Sequence, residues 1–215
     1  DYVVAIDTDS VYINMAPLVE KFNPKDPVKF LDKICSDHFE KVLSKAYQTL
    51  ATETSAYENR MEMGREVIAD RAIWVAKKRY ILNVHNNEGV QYKTPKLKMM
   101  GIEAIKSSTP QVVRNAFKET FGVIINSDET ATQAHIADFK KAFKKMPPED
   151  ISFPRGVTNI TKWHNTKTVY SKGTPIHVRG ALLFNKQVKK QGLGKRFELV
   201  KNGDKIKFCY LKRPN

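Results

Sequence analysis

Asp7-Thr8-Asp9-Ser10 sets two carboxylates two residues apart between the apolar runs Tyr2 to Ile6 and Val11 to Ile13. Apolar runs flanking a short polar turn predict a β-hairpin with its reversal at residues 7–10. Strand side chains alternate between faces, so Asp7 and Asp9 point the same way if strand geometry persists through the turn. Adjacent carboxylates repel, and either a shared proton or a divalent cation relieves them. Hard cations such as Mg²⁺ take oxygen ligands and are commonly held by one or two carboxylates together with substrate phosphates. One reading of the tetrapeptide is therefore a metal site for phosphoryl transfer at a hairpin tip. The other is an ordinary turn, where Asp and Ser are favoured for local hydrogen bonding.

Lys77-Lys78-Arg79-Tyr80 is the second informative stretch. Read as a strand, it places Lys78 and Tyr80 on one face and Lys77 and Arg79 on the other. A cation and an aromatic ring projecting together suit a nucleic-acid strand, with charge toward phosphate or groove and ring toward sugar or base. A solvated edge strand protected by lysines is the alternative.

The elements that must position these residues follow from spacing. Asp26-Pro27 predicts a helix N-cap followed by Pro at the first helical position, after a loop marked by Pro17 and Asn23 to Pro27. Leu31, Ile34, Cys35, His38, Phe39, Val42, Ala46 and Leu50 recur at three and four, predicting one amphipathic helix to about Leu50 with His38 as a core histidine. Met61 to Val84 is rich in β-branched and aromatic residues and predicts strands. Asn86 to Gly89 is a hairpin turn into Val90 to Lys93, and sheet is expected to about Ile105. Ser107-Ser108-Thr109-Pro110 then predicts an N-cap opening a helix through about Ile125, with a second helix from about Thr132 to Met146 that Pro147-Pro148 ends. Beyond Ile151 the chain predicts short strands at Ile176–Leu183, Phe197–Val200 and Lys205–Leu211. The fold class is α+β: an antiparallel sheet with a packed helix over residues 1–106, followed by a mainly helical region with a short-strand basic tail over 107–215.

The charge distribution sharpens this division. The 215-residue chain holds 37 Lys+Arg against 23 Asp+Glu, a net charge of +14, which predicts attraction to a polyanion. Residues 1–70 carry 8 basic and 13 acidic groups, whereas residues 139–215 carry 19 basic and 4 acidic. The candidate metal carboxylates thus sit in the acidic segment, and the basic ones are free to meet a phosphate backbone. Cys35 and Cys209 lack metal-type spacing and are read as reduced thiols of a cytoplasmic protein. No window approaches the apolar length of a membrane span. The chain begins at Asp1, inside an expected strand and without Met, which reads as a piece of something longer.

Taken in order, these pieces resemble family B DNA polymerases, most of all the replicative enzymes of T-even-type bacteriophages. Asp7-Thr8-Asp9-Ser10 is similar to the family's motif C in the palm. Met63-Gly64-Arg65-Glu66 and Lys77-Lys78-Arg79-Tyr80-Ile81-Leu82-Asn83-Val84 are similar to its later palm sheet. Pro95 to Glu103 with Ser107 to Pro110 resembles the palm-to-thumb junction, and Pro175-Ile176-His177-Val178-Arg179-Gly180 a thumb segment. The resemblance implies that residues 1–106 are the C-terminal part of the palm and 107–215 a duplex-binding thumb. It implies Asp9 as a ligand of a two-Mg²⁺ site, Asp7 beside it, and Glu66 as a further carboxylate near the metals. It also implies DNA contacts from Lys77, Lys78, Arg79, Tyr80, Lys96, Lys98, Ser107, Ser108 and Thr109. The implied reaction is in-line attack of a primer 3′-hydroxyl on a nucleotide α-phosphate.

Motif A, with its second aspartate, the fingers motif that binds the deoxynucleotide triphosphate, and the proofreading exonuclease domain are not found in this sequence. Gly64 stands where the phage enzymes usually have Asp, and Lys212 to Asn215 stop short of the usual sliding-clamp-binding tail. The expectation is a palm and thumb part that needs an exonuclease–palm–fingers half, works on primer-template DNA in an infected bacterial cytoplasm, and is inactive alone. The alternative is a non-catalytic basic DNA-binding module. A membrane partner is not expected, since neither amphipathic helix pairs a strongly basic face with an apolar anchor.

Overall fold

The two apolar runs around the acidic turn pair as β1 (Val3–Asp7) and β2 (Ser10–Ile13), antiparallel, with Asp7 opposite Ser10 and Thr8-Asp9 making the reversal. In this computed structural model, which describes residues 2–210, the chain falls into two compact units divided between Ile102 and Glu103. Both are mixed α and β, and all their sheets are antiparallel.

In the first unit the hairpin leads into α1 (Ala16–Phe22), where a loop was expected; Pro17 lies in its first turn, where proline's missing N–H costs no hydrogen bond. Asp26 caps α2 (Pro27–Ile34) by accepting the Lys29 backbone N–H at 3.1 Å, which holds its carboxyl below the usual carboxylate range. The helix expected to run unbroken to Leu50 is instead interrupted by a π-turn (Cys35–Phe39) before α3 (Glu40–Glu53). That wider turn shifts the later register. His38 is exposed rather than core, and Val42 and Leu50 are exposed as well.

Three strands follow, β3 (Val67–Ala76), β4 (Arg79–Asn87) and β5 (Val90–Met100), in that spatial order. As the central strand, β4 is covered on both sides, with Ile81, Leu82 and Val84 almost wholly buried. Tyr80, Leu82 and Val84 share one face and pack with Tyr12, Val67, Ala69, Trp74 and Tyr92. Arg65, just before β3, ties the helices to this sheet. Its guanidinium pairs with Asp32 of α2 and donates to Asn86 Oδ1 at 2.8 Å, while its backbone N–H donates to Glu40 at 2.9 Å. Sheet ends at Met100, short of the expected Ile105, because Glu103–Ile105 turns into a 3₁₀ helix.

The second unit opens with α4 (Gln111–Asn126) and α5 (Glu129–Phe143). Pro110, not one of the preceding hydroxyl residues, occupies the α4 N-cap, and no side chain caps it. Asp128 caps α5 through the Ala131 N–H at 2.8 Å, so this helix starts three residues before the expected Thr132. Pro148 opens a short α6 (Pro148–Ile151). β6 (Phe153–Gly156), α7 (Ile160–Trp163) and the two-residue pair β7 (His164–Asn165) and β8 (Val169–Tyr170) lead to α8 (Ile176–Lys190).

The strand expected at Ile176–Leu183 is thus a helix. Pro175 sets its N-cap, and Val178, Ala181 and Leu182 form a buried helical stripe against Val157 and Ile160, with Val188 buried further along the helix. No strand forms at Phe197–Val200 either. There Asn185 of α8 donates to the Val200 carbonyl and accepts its N–H, both at 2.8 Å, doing the work of a neighbouring strand. β9 (Lys205–Phe208) pairs with β6, while Leu211, the expected end of that strand, lies outside the described residues.

Candidate nucleic-acid and metal site

Asp7 ends β1, and its carboxylate takes the Thr8 hydroxyl at 3.2 Å. The reversal at Thr8 (φ 37°) and Asp9 breaks the strand alternation that would have aligned the two carboxylates. Ser10 donates its hydroxyl to the Asp7 carbonyl at 3.1 Å and closes the turn. Asp9 is exposed and takes part in no hydrogen bond or ion pair among the described residues. Among those residues there is no group of three or more His, Cys, Asp or Glu able to hold a metal ion. Asp7 and Asp9 offer the hard oxygen donors that Mg²⁺ prefers, but two carboxylates make part of a site rather than a whole one.

Lys77 and Lys78 form the reversal between β3 and β4, which corrects the reading of Lys77 to Tyr80 as continuous strand. Lys78 has φ 59°, left-handed backbone that costs a non-glycine residue energy. Gly101 (φ 64°) passes so close beneath the turn that a Cβ there would sit 2.3 Å from the Lys78 carbonyl oxygen. The Gly101 carbonyl also accepts the Arg79 Nε–H at 3.2 Å. From this turn Lys78 reaches the acidic hairpin, where its ammonium lies 3.6 Å from Asp7.

Tyr80 does not project beside Lys78. Its ring is buried, with Tyr12 of β2 at 5.6 Å between centroids and Trp74 at 6.5 Å. Tyr12 also meets Trp74 edge-on at 5.3 Å. Burial, with the Tyr80 hydroxyl as hydrogen-bond partner, pushes the Tyr12 phenol up to about 12. An aromatic wedge therefore joins the carboxylate hairpin to the lysine turn. Local sequence gave no sign of Tyr12 or Gly101; alternation from Ser10 places Tyr12 on an inward face but names no partner.

The remaining expected site residues fall in two places. Glu66 and Lys98 pair with each other, and the Lys96 ammonium lies 4.2 Å from the Tyr92 ring centroid. Ser107, Ser108 and Thr109 belong to the second unit. There Thr109 donates its N–H to the Lys106 carbonyl at 3.0 Å, and Arg155 donates to the Ser108 carbonyl at 3.4 Å.

Comparison with known proteins supplies the wider context for this geometry. The chain is similar to phage DNA-directed DNA polymerases. It is 30% identical over 229 aligned residues to the enzyme of Enterobacteria phage T4, covering 100% of this chain and 25% of that relative. It is 31% identical over 202 residues to the enzyme of Escherichia phage RB69, covering 87% of this chain and 22% of that relative. The chain therefore spans about a quarter of the length of the curated relatives it matches. No family model matches it. No helix among the described residues is long and apolar enough to cross a membrane.

Proposed function

We propose that this chain is the C-terminal palm and thumb part of a family B DNA-directed DNA polymerase, acting on primer-template DNA and deoxynucleotide triphosphates in an infected bacterial cytoplasm. The observation that carries the proposal is the 3.6 Å approach of Lys78 to Asp7, with the Tyr12–Tyr80 contact behind it. Two segments 71 positions apart meet as a carboxylate hairpin beside a cationic turn, a pairing suited to a metal and a phosphate chain at one place.

In this reading Asp9 is the metal ligand, with Asp7 as a second ligand or its support, and a bound Mg²⁺ pair supplies charge stabilisation to the attacking and leaving oxygens. Lys78 pairs with Asp7 and would be free to reach the primer terminus where a metal took up that carboxylate. Tyr80, being enclosed, acts by fixing the height of the lysine turn rather than by stacking on a base. Arg79 anchors that turn on the Gly101 carbonyl, leaving exposed Lys77 for the phosphate backbone. Lys98 must exchange Glu66 for phosphate to meet the duplex, which also frees Glu66 to approach the metals. Lys96 and the Ser107–Thr109 segment serve the departing duplex.

The second metal-binding aspartate and the nucleotide-binding fingers belong to an exonuclease–palm–fingers part outside these 215 residues, whether that part is a separate subunit or the rest of a longer chain. The test is Mg²⁺-dependent primer extension by the chain alone and mixed with such a part. Extension only in the mixture, abolished by Asp9→Ala, is the expected result. Salt-dependent duplex binding without extension in any mixture would instead favour the non-catalytic DNA-binding module.

A further inference from the structure

The α8 helix carries a face that the duplex and metal reading does not use. One side is buried through Val178, Ala181, Leu182 and Val188. The opposite side, at helical spacing, presents Gly180, Leu183, Phe184, Gln187 and Lys190 to solvent. Phe184 is 41% exposed and meets Phe197, also 41% exposed, in a T-shaped contact at 6.4 Å. The Arg196 guanidinium lies 5.2 Å from the Phe197 ring centroid. Residues 183–197 hold five cations, Lys186, Lys189, Lys190, Lys195 and Arg196, and no acid. All five are exposed, and none forms an ion pair among the described residues.

Gly180 completes the arrangement. Gly180 lies one turn before Phe184 on the same exposed face, where a longer side chain would reach toward the ring. A Cβ at Gly180 would meet nothing within 4 Å, so packing does not demand glycine, which is a weak helix former. Its effect is to leave the ring uncovered.

We propose that this face binds single-stranded nucleic acid, with a base stacked on Phe184 and phosphates neutralised by Lys190, Lys195 and Arg196. Aromatic faces gain energy from unpaired bases, whose π-surfaces are free, and gain little from a duplex whose bases are already stacked. A membrane surface is disfavoured, because α8 spends most of its apolar side on its own core and exposes Ile176, Leu183 and Phe184, with Ile176 two turns away from the other two. The proposal does not rest on the polymerase reading, since its titrations contain neither nucleotide nor partner chain and can fail while extension succeeds.

The test is fluorescence anisotropy of the whole chain with a labelled oligothymidylate and with a blunt duplex of the same length. Phe184→Ala is expected to weaken the single strand by about tenfold and leave the duplex unchanged. Gly180→Leu, which covers the ring with a better helix former, is expected to weaken the single strand without lowering the thermal midpoint. Lys190→Ala with Lys195→Ala is expected to reduce the single-strand salt slope by about 1.4. Equal losses on both nucleic acids, an unchanged affinity in Gly180→Leu, or phosphatidylserine vesicles bound more tightly with the same Phe184 dependence would overturn it.

Discussion

Replacing Gly101 by Ala tests the chain of contacts that aims Lys78 at Asp7. Two costs add at this position. The left-handed φ of 64° charges an L-residue about 1–2 kcal/mol. The new Cβ would also lie 2.3 Å from the Lys78 carbonyl and 3.0 Å from Arg79 Cγ, where ordinary contact begins near 3.4 Å. Arg79 can swing aside, but the carbonyl is backbone and must move by about an ångström, at a further cost of roughly 1–3 kcal/mol. The expected loss is therefore about 2–5 kcal/mol in urea unfolding. Gly89→Ala is the matched control, because Gly89 has φ 85° with nothing within 4 Å of its Cβ, so only the backbone cost of about 1–2 kcal/mol applies. The excess of Gly101→Ala over Gly89→Ala measures the collision alone. A carbonyl pushed away carries Lys78 off its 3.6 Å approach to Asp7, so primer-template affinity should fall in Gly101→Ala and hold in Gly89→Ala. If the two variants unfold at the same urea concentration and bind DNA equally, the cradle does not set the lysine turn.

Three further outcomes are expected. Arg65→Lys should destabilise by about 2–3 kcal/mol in urea, since a point charge cannot reproduce the bonds to Asp32 and Asn86, and Asp32 then loses its partner. Tyr12 adds stability that is full below its unfolded value of 10.0 and lost as pH rises toward about 12, because the unfolded chain releases that proton first. Tyr12→Phe should therefore flatten the fall in unfolding midpoint across that window, and an unchanged fall would refute the burial of the hydroxyl. Burial pushes the Cys35 thiol up, whereas Cys209 is exposed, so iodoacetamide at mildly alkaline pH should alkylate Cys209 well before Cys35, as read by peptide mass.

What could be read directly was local. The Asp7–Ser10 reversal, the Asp26 cap with Pro27 behind it, and the Glu88-Gly89 turn each lie within a few residues of the atoms they bond. The candidate carboxylates and lysines were legible as residue types and by resemblance. Their geometry was not. Lys77-Lys78 carries no turn residue, so it reads as strand; its reversal is held by Gly101, which approaches only because β5 runs back along β4. Ile176 to Leu183 offers apolar residues that suit either period, and the helix wins because Val157 and Ile160 give its stripe a surface to bury. Likewise Tyr12 on Tyr80 and Arg65 on Asp32 are pairings between distant segments. Sequence determined which groups could bond, because propensity and capping act within a turn or two. Tertiary structure decided which of them meet, because burial rewards whichever distant surfaces exclude water together.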